Sequence, residues 1–230
     1  MNIGGLQKTS LLDYPGYISV IIWTNGCNLR CPFCYNKNLV LATEKKHPEE
    51  EVLSFLSKRK GMIDGVVITG GEPLIQEDIV SFAEKVKEMG YLLKIDTNGT
   101  LPDRLKTLLD KKLVDYIAMD VKAPKDKYEQ LAGVKVDTSR INESIELIKN
   151  KAPEYEFRTT MIPGMLSKED IVEIGGWIKG AKRYYLQQFR VNPPLVSSRL
   201  EKTQPYPPQY LYETAEMVKP LVGVCIVRGV

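Results

Sequence analysis

Short apolar, β-branched runs recur along the chain at residues 18–23, 65–69, 91–96, 115–120 and 155–160. Each has strand length and is apolar enough to be covered on both faces. Between them lie segments 48–58, 76–89, 102–111, 138–150 and 167–179, where charged residues interleave with apolar ones at helical spacing. Two more strand-like runs, 183–190 and 222–228, flank a proline-rich segment (192–208) and a last helical pattern at 209–219. Strand and helix therefore alternate. The pattern predicts an α/β fold, a partial β/α barrel of about six parallel strands with outer helices, in a single domain over residues 1–230.

In parallel folds of this kind ligands meet the loops at the carboxyl ends of the strands, and that is where the chemically distinctive residues fall. The first run leads into Cys27, Cys31 and Cys34, three of the four cysteines of the chain within eight residues. The second ends in Thr69-Gly70-Gly71-Glu72-Pro73, where two glycines allow close backbone approach and Pro73 can open a helix. The third ends in Asp96-Thr97-Asn98-Gly99 and the fourth in Met119-Asp120-Val121-Lys122. Two carboxylates, an amide and an ammonium on neighbouring strand ends can hold a zwitterion or a cation. The plainer alternative is an Asn98-Gly99 turn and a surface pair between Asp120 and Lys122. Arg158 and Gln188 pose the same question on later strands.

Thiolate is a soft ligand for zinc, copper(I) or iron-sulfur centres, and an irregular loop can turn three sulfurs toward one centre. Structural zinc wants four protein ligands in paired knuckles, and there is neither a second knuckle nor any histidine besides His47. Three sulfurs on a four-iron cluster leave one iron open to a small molecule. Free buried thiols, or a disulfide with a spare, are the bland alternative. Cys225 lies in an apolar run and reads as a core residue rather than a fourth ligand.

Composition narrows the function further. With 32 basic against 29 acidic side chains and a net charge of +3, the chain has no nucleic-acid footprint. No stretch has the length of a membrane span, and the start lacks the basic-then-apolar pattern of a secretory signal. A cytoplasmic location is expected, and a reducing compartment also suits clustered thiolates.

The cysteine loop after one strand and Gly70-Gly71-Glu72-Pro73 after the next together resemble the radical S-adenosylmethionine (SAM) superfamily. Gly5-Leu6-Gln7-Lys8-Thr9-Ser10, Leu12-Asp13-Tyr14-Pro15-Gly16, Asp96-Thr97-Asn98-Gly99 and Met119-Asp120-Val121-Lys122 look like the glycyl-radical activating enzymes within it. Tyr35 is a departure, since many relatives carry histidine there. The resemblance implies one 4Fe-4S cluster held by Cys27, Cys31 and Cys34, its fourth iron chelated by the amine and carboxylate of S-adenosylmethionine. It implies that Gly70, Gly71 and Glu72 receive the methionyl amine and that Phe33 and Tyr35 flank the adenine. Asp96, Thr97 and Asp120 would bind a monovalent cation beside the methionyl carboxylate, with Asn98, Lys122 and Arg158 completing the cofactor contacts.

The implied activity is reductive cleavage of S-adenosylmethionine and removal of hydrogen from a glycine of a partner enzyme. Anaerobic ribonucleoside-triphosphate reductase is the expected partner, and flavodoxin or ferredoxin the expected kind of electron donor. Three alternatives stay open. They are a pyruvate formate-lyase kind of partner, a small-molecule enzyme of the 7-carboxy-7-deazaguanine synthase kind, and a non-catalytic cluster carrier.

Overall fold

The computed structural model describes residues 1–230. One eight-stranded sheet runs through it with the strands in chain order. At one edge β1 (Ile3–Ser10) lies antiparallel to β2 (Ser19–Thr24). From β2 onward every pairing is parallel, through β3 (Gly65–Gly70), β4 (Leu92–Thr97), β5 (Tyr116–Asp120), β6 (Glu154–Met161), β7 (Arg183–Gln188) and β8 (Val224–Arg228). No pairing joins β8 back to β1, so the sheet curls without closing.

Strand β1 is absent from the hydrophobic pattern for a physical reason. Its sequence, IGGLQKTS, has two glycines and a polar half, and its middle is partly exposed. Ile3 anchors its start in the core, and beyond it the backbone comes close to a neighbouring side chain: a Cβ at Gly4 would sit 2.5 Å from Oδ1 of Asn25.

Helices α2 (Glu49–Lys58), α3 (Ile79–Glu88), α4 (Pro102–Asp110), α6 (Thr138–Lys151), α7 (Lys168–Trp177) and α8 (Pro208–Val218) occupy the predicted segments. Two short helices, α1 (Lys37–Val40) and α5 (Tyr128–Ala132), were too brief to leave a periodic signal. Helix α3 buries Ile79, Phe82, Ala83 and Val86, the i, i+3, i+4, i+7 stripe that faces a sheet. Truncating a fully buried ring such as Phe82 to alanine costs about 3–5 kcal/mol. Local chemistry fixes the ends: the Asp137 carboxylate accepts from Ser139 N–H, and Ser167 with Asp170 forms a capping box at α7.

The period-two alternation of the strands divides the core. Val20, Ile22, Val66, Ile68, Leu93, Ile95, Ile117 and Met119 join the main cluster under the helices. Ile21, Val67, Tyr116 and Ala118 face the other way and surround Tyr14, which the β1–β2 loop inserts into the curl of the sheet.

Candidate active site

A cavity of about 940 Å³ is lined by residues from the carboxyl ends of the strands. It brings together every site residue expected from the sequence: Cys27, Cys31, Phe33, Cys34, Tyr35, Gly70, Gly71, Glu72, Asp96, Thr97, Asn98, Asp120, Lys122 and Arg158. Gln188 also lines it. Cys225 does not: it is buried on the outer face of β8, in the core under the helices.

The cysteine loop is fixed by backbone hydrogen bonds from several elements. Gly26 N–H donates to Leu39 O (2.7 Å), Arg30 N–H to Ala132 O (2.8 Å), and Glu72 N–H to Gly26 O (2.8 Å). Helices α1 and α5 thus serve the loop. The glycine turn is set flush against it, because a Cβ at Gly71 would fall 1.8 Å from the Gly26 carbonyl oxygen. Gly70 has φ +112, a conformation glycine alone adopts readily.

Glu72 is almost fully buried and ties two strand ends together. Its Oε1 accepts from Leu74 N–H (3.1 Å) and the Thr97 hydroxyl (2.8 Å), and its Oε2 from Asn98 N–H (2.7 Å). Burial pushes its carboxyl up to about 7, against the pull of those three donors. Asn98 in turn donates to Asn28 Oδ1 (2.9 Å) and lies 4.0 Å from Cys27 Sγ.

Asp96 and Asp120 are joined by a single guanidinium. Arg158 donates from Nη1 to Asp96 Oδ2 (3.1 Å) and from Nε to Asp120 Oδ1 (2.8 Å). The remaining oxygens take Lys94 Nζ (2.7 Å, Asp96) and Lys122 Nζ (2.8 Å, Asp120). Burial raises both carboxyls, but the neighbouring cations outweigh it and hold them below the usual range. The Asp120–Lys122 pair is real yet mostly buried rather than a surface pair. Protein cations engage all four carboxylate oxygens, so a monovalent metal cation beside these residues would share those oxygens with a lysine or Arg158 or displace one of them.

Lys94, Glu156 and Arg228 also line the cavity and were not among the expected residues. Glu156 accepts from Arg228 through both oxygens (2.8 and 3.1 Å) and from the Tyr116 hydroxyl (2.7 Å). A charged residue inside an apolar strand, as in Leu92-Leu93-Lys94-Ile95, was the available signal. Lys122 Nζ lies 6.0 Å from the Phe33 ring centroid, a cation–π distance.

The donor set can be tested against an iron-sulfur centre. Cys27, Cys31 and Cys34 are the cysteines of the cavity, one thiol short of the four ligands of a structural zinc site. Three thiols on one cavity wall suit a larger polynuclear centre. Burial pushes all three thiols up, Cys27 to about 12, so their thiolates need the positive charge that a metal centre supplies.

Comparison with known proteins accords with this geometry. The model of the Radical SAM superfamily matches residues 21–178. The chain belongs to this superfamily. Over 99% of its length it is 33% identical to a Methanocaldococcus jannaschii protein provisionally named a glycyl-radical enzyme activating enzyme, 96% of which is covered. It is 28% identical to the pyruvate formate-lyase-activating enzyme of Staphylococcus aureus, over 84% of this chain and 80% of that protein. Among solved structures, Streptococcus suis SuiB bound to its precursor peptide SuiA superposes with a TM-score of 0.73 at 19% identity, over 91% of this chain. The chain spans about half of SuiB, 48% of its length. This is a radical SAM enzyme with relatives named as activating enzymes, and the superfamily's cofactors are a 4Fe-4S cluster and S-adenosylmethionine. No helix is long and apolar enough to cross a membrane.

Proposed function

We propose that this radical SAM enzyme generates a glycyl radical on a partner enzyme. Anaerobic ribonucleoside-triphosphate reductase is the first partner to test and a pyruvate formate-lyase the second, with a flavodoxin or ferredoxin as electron donor. The observation that carries the reading is convergence: the motif residues after β2, β3, β4 and β5 line one cavity, with Arg158 of β6 beside them.

Cys27, Cys31 and Cys34 hold three irons in this reading, and Gly70 and Gly71 let the ligand approach the backbone beside them. Bound there, the cluster and S-adenosylmethionine supply one-electron cleavage of a carbon–sulfur bond and a 5′-deoxyadenosyl radical that abstracts hydrogen. The chain's own work is binding and orientation. Lys122 and Arg158 present positive charge toward the methionyl carboxylate, while Asp96 and Asp120 hold those cations in place. Glu72 keeps the ends of β3 and β4 in register for the methionyl amine, with Thr97 and Asn98 as its partners. Phe33 and Tyr35 offer ring faces for the adenine.

The test is anaerobic reconstitution followed by reduction. Release of 5′-deoxyadenosine, and a glycyl radical in the paramagnetic resonance spectrum of an added reductase, support the reading. An intact cluster that never cleaves S-adenosylmethionine would favour a carrier, and cleavage with no radical on either partner would favour a small-molecule substrate.

A further inference from the structure

The proline-rich segment between β7 and α8 folds back over the cysteine loop. Val196 N–H donates to the Cys34 carbonyl and Ser197 N–H to the Pro32 carbonyl, both at 2.9 Å. The earlier part of the loop, around Gly26 and Arg30, is anchored by α1, α5 and the glycine turn. Beyond it, only residues 196 and 197 reach the backbone carbonyls of residues 32–34 from a distant part of the chain.

The segment is itself firmly held. Leu195 is fully buried, and its N–H donates to Glu201 Oε1 at 3.0 Å. A 3₁₀ turn, Ser198–Lys202, follows. Its far end is pinned where Gln188 Nε2 donates to Tyr206 O (2.7 Å) and the Tyr206 hydroxyl to Leu166 O (3.0 Å). Prolines at 193, 194, 205, 207 and 208 restrict the alternatives open to the free segment.

We infer that Val196 and Ser197 are positioning residues for the cluster: their N–H groups form a backbone latch that fixes how Cys34 presents its sulfur. A hydrogen bond to a carbonyl fixes the plane of that peptide. With the planes after Pro32 and after Cys34 both fixed, the backbone torsions of Phe33 and Cys34 are bracketed, and with them the direction of the Cys34 Cα–Cβ bond. Water can satisfy both carbonyls when the latch opens, so the loop then survives but loses its set geometry. The inference rests on the proposed role of the cysteines as iron ligands.

The experiment uses reconstituted, oxygen-free protein and follows iron transfer to a strong ferrous chelator. Ser197→Pro removes one latch N–H, and Glu201→Ala frees the Leu195 end without touching either latch bond. Iron release should quicken about five- to tenfold in Ser197→Pro, which also strains a backbone held at φ −106, and by less in Glu201→Ala, which keeps both latch N–H groups and adds no such strain. In the unsubstituted protein, hydrogen exchange at Val196 and Ser197 should be slower when iron is bound than when it is removed. Parent-like iron release in both variants overturns the latch, as does exchange at 196 and 197 as fast as at exposed Asn192 in the loaded protein. Normal iron content in Cys34→Ala would instead overturn the ligand assignment, a separate result.

Discussion

The amide of Glu72 donates to the carbonyl oxygen of Gly26 at 2.8 Å, which joins the glycine turn after β3 to the cysteine loop after β2 backbone to backbone. The residue between them in this contact, Gly71, has no room for a side chain. Gly71→Ala must push the two loops apart, because the obstacle is a main-chain oxygen rather than the end of a flexible side chain. We expect a loss of roughly 2–4 kcal/mol in stability together with poor iron incorporation. Urea denaturation and iron analysis of the same preparation check both, and a variant that loads iron normally would contradict the fused-loop geometry.

Replacing Cys27, Cys31 or Cys34 singly with alanine should abolish stable cluster assembly, since each leaves an iron short of a ligand. Cys225→Ser should leave the iron content at the parent level, because this thiol lies in the core under the helices and outside the cavity. Absorption near the charge-transfer region and iron per chain report the outcome. Loss of iron in Cys225→Ser would remove the open coordination position on which the proposed function depends.

Arg158 is the one group that touches both Asp96 and Asp120, and all three are largely buried. Arg158→Met leaves Asp96 with Lys94 alone and Asp120 with Lys122 alone, and removes the cation between two neighbouring carboxylates, which should destabilise the protein by roughly 2–3 kcal/mol. The pH dependence has a definite sign. Both carboxyls are held below the ordinary value of 3.8, so their stabilising contribution is complete above that pH and fades as the pH falls through their lowered values. Removing the guanidinium should therefore move the onset of acid unfolding to higher pH. Circular dichroism between pH 2 and 6 would reveal it, and an unshifted acid limb would demote the triad to a solvent-screened contact.

Glu72 behaves in the opposite sense. Its carboxyl is raised from 4.5 to about 7, so the folded protein holds a proton there that the unfolded chain has already released. Stability should fall as the pH climbs between those two values, by up to about 3 kcal/mol, and then level off. Glu72→Gln should flatten that slope. Urea midpoints of the metal-free protein measured from pH 5 to 8 decide the matter, and an identical slope in the variant would show that another group carries it.

Much of this architecture could be read from the chain because strands β2 to β5 and β8 are mostly apolar, β6 and β7 carry aromatic cores, and most of the helices between them carry clear stripes. Strand β1 escaped because Gly4 and Gly5 lend it no hydrophobic signature. Helices α1 and α5 are a turn or so long. The cysteine and glycine motifs declared themselves through residue type and spacing, whereas Lys94, Glu156 and Arg228 sit in strands where an isolated charge gives no hint of its partner 2 or 72 residues away. The latch at Val196 and Ser197 had no legible trace at all, since it is made of main-chain N–H groups that any residue but proline provides.

The inner wall carries charges of alternating sign, Lys94, Asp96, Arg158, Asp120 and Lys122 in sequence, with Glu156 and Arg228 beside them. Such a series resists piecemeal editing, since neutralising any interior member takes a partner from the neighbour on either side. Divergence at this wall should therefore advance by compensated exchanges, and a homologue that lacks one member should betray itself by a matching change in the residue next along the series.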